Sequence, residues 1–175
     1  MWRCDIDMSR KNIVLIGMPG AGKSTVGVLL AKSLKMPYMD TDLLIQQREN
    51  LHLQDIIDHY GLQKFLSIEE DTILNLNVEN HVIATGGSIV YSSASVEYLK
   101  TNGILVYLKL KYYKIERRIR NIKSRGIAMS KGQSLSDLFN ERVPLYEKYA
   151  DITIDCAHKH IESIVSEIAE KSMLQ

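Results

Sequence analysis

The stretch "NIVLIGMPGAGKSTVGVLLAKSLK" (residues 12–35) constrains the fold of this chain more than any other. Its first six residues are an apolar, β-branched run that closes on Gly17, and its last thirteen repeat apolar residues at helical spacing. Between them Gly17, Gly22, Lys23 and Ser24 make G-x4-G-K-[ST]. Strand, glycine loop and helix in that order turn successive backbone N–H groups inward toward phosphate oxygens. The first turn of the helix adds its own unpaired donors and the positive end of its dipole. Gly20, Ala21, Gly22, Lys23, Ser24 and Thr25 are therefore the candidate nucleotide-binding residues. Lys23 is suited to the β and γ phosphates and the Ser24 hydroxyl to a magnesium ion, so ATP and Mg2+ are the expected cofactors.

The strand-then-helix pattern recurs in "PYMD" into "TDLLIQQREN", "HVIATGG" into "SASVEYLKTN", "GILVYLKL" into "YYKIERRIRNI", and "DITIDC" into "KHIESIVSEIAEKSM". Continuous apolar strands between helices predict a five-stranded parallel sheet covered on both faces, an α/β three-layer sandwich with right-handed crossovers. Ligands in such sheets bind at the carboxyl ends of the strands. The apolar residues of "YGLQKFLSIEEDTIL" (60–74) recur three and four apart and predict a helix there, with Glu69 inside the apolar arc of Phe65, Ile68, Thr72 and Leu76. At 175 residues with 45% hydrophobic content the chain reads as one domain, with residues 1–11 as a flexible polar tail. The polar segment 123–134 breaks the alternation and reads as a lid.

A formal charge of +1 demands neither nucleic acid nor a membrane surface as partner. Cys4 and Cys156 match neither a metal spacing nor a disulfide scaffold, which points to a reducing, cytoplasmic setting. No run of 18 apolar residues suggests a membrane span. The five histidines form no ligand-spaced cluster, and monomer is the default for a small α/β domain of this size.

Asp40 and Asp42 of "MDTD" stand at the end of the second strand, where two residues apart in extended backbone sends both carboxylates to one side. Such carboxylates hold a metal through water, orient an acceptor hydroxyl or take its proton. Gly86 and Gly87 of "VIATGG" end the third strand and let a ligand approach the backbone closely. The chain has no N-K-x-D guanine motif and no apolar run ending in Asp-Glu, so a small-molecule kinase with a hydroxyl acceptor fits better than a switch GTPase or a motor ATPase. A non-catalytic nucleotide-binding regulator is the rival of another class.

"GMPGAGKSTVG", "DTD", "ATGG" and "ERVPLYEKYADITID", in that order, resemble the shikimate kinases, P-loop kinases of the nucleoside-monophosphate-kinase fold. The resemblance covers residues 12 to 172. It implies phosphorylation of shikimate by ATP in aromatic amino-acid biosynthesis, with acceptor-binding helices over about 41–80 and a lid over about 122–135. It further implies Asp40 near the metal, Asp42 as acceptor ligand and base, and Gly86 and Gly87 presenting amides to the acceptor. By the same resemblance Arg142 clamps the acceptor carboxylate, Arg125 closes over the phosphates and Arg118 lies against adenine. An arginine fork in a closed site stabilises transferring phosphoryl oxygens more than water does, which gives Arg125 a catalytic rationale of its own.

Three positions depart from the family pattern. Leu66 stands where the family carries an acceptor-binding arginine, Ser88 replaces the third glycine of a triplet, and "RGIAM" loses the proline of the lid motif. In the family the glutamate matching Glu69 pairs with the missing arginine. Glu69 is then expected to find a basic partner such as Arg48 or Lys64, or a cationic group on the substrate, or else to sit solvated at the rim. An amino alcohol or hydroxy amino acid is the alternative acceptor.

Overall fold

The computed structural model describes residues 11–120 and 126–174. Among them, β1 (Asn12–Ile16), β2 (Tyr38–Asp40), β3 (Val82–Ala84), β4 (Gly103–Lys109) and β5 (Ile152–Asp155) form one parallel sheet in the order β2-β3-β1-β4-β5. All five residues of β1 are buried, and Leu105 to Leu108 of β4 are at most 1% exposed. Successive strand residues point to opposite faces, so this uninterrupted burial means that both faces are covered.

The covering helices are α1 (Lys23–Leu34), α2 (Thr41–Glu49), α3 (Leu53–Tyr60), α4 (Leu62–Leu74), α5 (Ser93–Asn102), α6 (Tyr112–Arg120), α7 (Leu135–Tyr149) and α8 (Ile161–Ser172). α1 packs on β3 and α8, while α5 and α7 pack on β4. β1 lies between β3 and β4, with Leu15 in register with Ala84 on one side and Val106 on the other. The chain therefore leaves β1 at the point where strand order reverses, and the loop that follows opens onto the crevice at the strand ends.

The stretch 60–74 is not one helix. Tyr60 ends α3, Gly61 takes φ 81°, and α4 starts at Leu62. The apolar spacing runs on through the glycine, which hides the break. The expected arc of α4 is present: Phe65, Ile68, Glu69 and Thr72 are at most 8% exposed. α2, α3 and α4 share a small apolar cluster of Ile45, Ile56, Phe65 and Ile68, which Ala128 of the segment before α7 completes. Leu66 packs against this cluster. Among the described residues, no helix is long and apolar enough to cross a membrane.

Asn12 ties the sheet to the turn before β3. Its side-chain amide donates to Val78 O at 2.8 Å and its carbonyl accepts from His81 N at 2.9 Å, although the residue is 4% exposed. Truncation strands two backbone groups, so Asn12→Ala is expected to lower unfolding free energy by about 1–3 kcal/mol in urea titrations.

Candidate functional site

A cavity of about 380 Å3 opens at the carboxyl ends of β1, β2 and β3, walled also by α4, α7 and residues 126–128. The phosphate loop forms its floor. Gly22 takes φ 98° and leads directly into α1, and Val26 N donates to Gly22 O at 2.9 Å, so helical bonding begins at the loop glycine. Lys23 is 9% exposed and its Nζ donates to Gly17 O at 2.7 Å and Met18 O at 3.0 Å. Ser24 Oγ donates to Asp40 Oδ2 at 2.9 Å. A hydroxyl and a carboxylate held together are hard oxygen donors of the kind a magnesium ion takes, so this pair fits the expected metal.

Asp40 and Asp42 both line the cavity, by a route other than the expected one. Only Asp40 lies in the strand. Its Oδ1 accepts from Asp42 N at 3.0 Å and Leu43 N at 3.4 Å, capping α2, while Asp42 stands in the first helical turn. Tyr38 donates to Asp40 Oδ2 at 3.2 Å, and its phenol is pushed up to about 12 by burial and by the Asp40 charge.

Gly86 and Gly87 are glycines for want of space. A Cβ on Gly86 would stand 2.2 Å from Glu69 Oε1 and 2.9 Å from Asp42 Oδ1. One on Gly87 would stand 2.8 Å from Pro19 Cδ and 3.0 Å from Arg142 Nη1. The two glycines thus let two carboxylates and a guanidinium converge on one backbone turn.

Arg142 is 1% exposed, not the surface ion-pair residue that its place in a charged stretch allows. Nε donates to Tyr91 Oη at 3.1 Å, Nη2 donates to Ala128 O, and the guanidinium lies 5.0 Å from the Tyr91 ring centre. Those contacts leave Nη1 toward Gly87 and the cavity. Tyr91 in turn donates to Glu141, and Tyr146, one turn beyond Arg142 and fully buried, donates to Gly87 O at 2.5 Å. Neither tyrosine was marked by the sequence. The one available signal is the i, i+4 spacing that puts Tyr146 on the Arg142 face of α7.

Glu69 corrects two expectations. It is 2% exposed, so it is not solvated at the rim. Neither proposed basic partner reaches it: Arg48 bonds Asp71 at 2.5 Å and Glu49 at 3.4 Å, and Lys64 is exposed. Oε1 has no hydrogen-bond partner among the described residues. Burial pushes the carboxyl from its ordinary 4.5 up to about 7; the Ser88 hydroxyl opposes this, Asp42 adds to it, and Arg142 and Lys23 oppose it. Ser88, 4% exposed, thereby acquires a role that its place in a glycine turn did not advertise.

Arg118 lies behind the phosphate loop, where Nη1 donates to Gly20 O at 2.9 Å and Ala21 O at 3.2 Å. It borders a second cavity of about 500 Å3 with Gly22, Thr25, Cys156 and Lys159. The Cys156 thiol there is pushed up to about 11, chiefly by burial. Arg125 lies outside the described residues. Of the segment expected as a lid, residues 126–128 wall the main cavity, and a Cβ on Gly126 would stand 2.5 Å from Gln54 N. The loop seats on the α3 backbone so closely that a proline has no room at this position.

A parallel sheet, a phosphate loop at its switch point and a carboxylate-lined cavity beside that loop define a P-loop phosphotransferase for small molecules. The shikimate kinase family model matches residues 19–172. Shikimate kinases from Caldanaerobacter subterraneus and Haemophilus influenzae are 34% and 36% identical, covering 90% and 92% of this chain and 94% and 92% of their own. A shikimate kinase structure from Acinetobacter baumannii, in complex with shikimate, superposes with TM-score 0.87 at 30% identity over 95% of this chain and 94% of that one. The Aquifex aeolicus enzyme superposes with TM-score 0.78 at 33% identity, covering 91% and 94%. The chain belongs to the shikimate kinase family.

The raised Glu69 carboxyl makes ligand-free stability depend on pH. The folded state holds this proton more tightly than the unfolded chain, so the associated stability is full below pH 4.5 and falls as pH rises through about 7. Glu69→Gln is expected to remove that fall and to be more stable than the native protein at pH 8, by up to about 3 kcal/mol in urea titrations.

Proposed function

We propose that this chain transfers the γ-phosphoryl group of ATP to a hydroxyl of shikimate. The observation that carries this reading is the convergence of Lys23, Asp42 and Arg142 on one cavity at the strand ends. Lys23, released from the Gly17 and Met18 carbonyls, is the charge for the β and γ phosphates, and the loop amides with the α1 N-terminus bind the rest. Ser24 and Asp40 would hold a magnesium ion, which when bound would neutralise phosphate charge.

Asp42 orients the acceptor hydroxyl and takes its proton as the oxygen attacks phosphorus. Arg142 holds the acceptor carboxylate through Nη1, its orientation fixed by Tyr91 and Ala128, and the Gly86–Gly87 turn supplies backbone donors beside it. Arg118 supports the loop from behind, beside the second cavity, where adenine is taken to bind. The segment over about 122–135 would act as the lid that excludes water, with Arg125 within it as the charge for the transferring phosphoryl group. A soluble, cytoplasmic monomer fits this chemistry, which needs no second subunit.

One observation favours a second acceptor class. The apolar Leu66 and the Glu69 carboxyl, whose Oε1 has no hydrogen-bond partner among the described residues, make a wall in which an ammonium group would find a counter-ion were that carboxyl ionised. A coupled assay with shikimate and with hydroxy amino acids separates the two readings, and shikimate turnover is the expected result. Asp42→Asn is expected to lose about a hundredfold or more in kcat while ATP binding persists, and Lys23→Ala to lose nucleotide binding as well. ATP binding without transfer to any acceptor, indifferent to Asp42→Asn, would instead identify a nucleotide-binding regulator.

A further inference from the structure

The family pattern places a guanidinium one turn before Glu69, and here that position is Leu66, which packs against the apolar cluster of α2, α3 and α4. Glu69 nevertheless stays in the cavity wall, 2% exposed, with Oε1 unpartnered beside Asp42 Oδ1 and the Gly86 backbone. We propose that Glu69 is a specificity-determining residue that meets the acceptor as a neutral carboxylic acid, its carboxyl donating a hydrogen bond to an oxygen of a carboxylated, hydroxylated acceptor. The inference rests on the acceptor reading above and deepens it.

Its charge environment leads to the same state. An ionised Glu69 would place a second negative charge beside Asp42, and the acceptor would bring a third. The positive groups acting on it are Lys23 of α1 and Arg142 of α7, and each has other partners: the Gly17 and Met18 carbonyls for the first, Tyr91 and Ala128 for the second. On α4 itself, Glu70 accepts from Ser92 at 2.5 Å and Asp71 is bonded to Arg48. On α3, Asp58 accepts from Gln54, and on α5, Lys100 bonds Asp151. The Ser88 hydroxyl bonds the Glu69 carboxyl and favours its ionised form. A proton on Glu69 satisfies the buried group, removes the repulsion and turns an acceptor atom into a donor. Two neighbouring carboxyl groups then divide the work, Asp42 accepting a proton and Glu69 offering one. Selectivity follows: a carboxylate or hydroxyl oxygen is welcomed at this wall, and an ammonium group, a donor facing a donor, is refused.

The test is KM for shikimate against pH, between about pH 5.5 and 9, for the native protein, Glu69→Gln and Ser88→Ala. Native KM is expected to be low at acid pH and to rise about tenfold per unit once the carboxyl ionises, without a parallel fall in kcat. Glu69→Gln, a permanent neutral donor of the same shape, is expected to keep the acid-limb KM across the range. Ser88→Ala removes the donor that favours ionisation, so its break should move to higher pH, which a purely structural role would not produce. A native KM flat with pH, or a Glu69→Gln KM raised more than about tenfold at pH 6, overturns the proposal. The urea titrations of ligand-free protein separate this from the acceptor reading. A bound proton detected there, with no shikimate turnover at any pH, supports the neutral acid and sinks shikimate as acceptor. Native and Glu69→Gln stabilities that run parallel with pH sink the neutral acid whatever the acceptor.

Discussion

Removing an ionisable side chain from water costs several kcal/mol unless hydrogen bonds or opposite charge offset it, and three such side chains are buried around one cavity here. Lys23, Glu69 and Arg142 are each 9% exposed or less, and all line the wall shared by the phosphate loop, α4 and α7. Much of the local architecture serves to make this tolerable. Lys23 donates to two loop carbonyls, and Arg142 is held by Tyr91 and Ala128. Of these three side chains, Glu69 is the one with a buried atom, Oε1, left without a hydrogen-bond partner among the described residues. Both Gly86 and Gly87 are bare of side chains so that these groups can approach one another.

The sheet was legible because every strand but β2 carries a short β-branched run, and the phosphate loop because its glycines stand between a strand and a helix. The place of Glu69 in the apolar arc was legible as well, since helical periodicity assigns it there whatever its charge, but periodicity left its burial open against a solvated rim. Other features were hidden by the same rules. Periodicity carried straight through Gly61, although that residue ends one helix and starts another. Extended spacing fails at Asp42, because the Asp40 side chain two residues earlier caps α2 and draws Asp42 into its first turn. The settings of Arg142 and Tyr91 depend on residues roughly fifty positions apart, which no local pattern reports.

The three departures from the family pattern lie on two connected walls of the same site. Leu66 extends the apolar cluster of α2, α3 and α4, and Gly126 lets the following loop settle onto α3, where Ala128 enters that cluster. Ser88 supplies the Glu69 carboxyl with a hydroxyl donor where no guanidinium stands. Packing on the one wall and hydrogen bonding at the glycine turn therefore both bear on the same cavity.

Ala128 belongs to two structures at once. Its side chain completes the α2–α4 cluster, and its carbonyl accepts from the guanidinium that lines the cavity. Lifting this segment away therefore uncovers apolar surface and unties Arg142 in a single event. Motions built this way have two resting positions and little population between them. The entrance to this cavity is built as a latch, and its release would be a small unfolding reaction whose free energy sets how often bulk solvent enters the cavity.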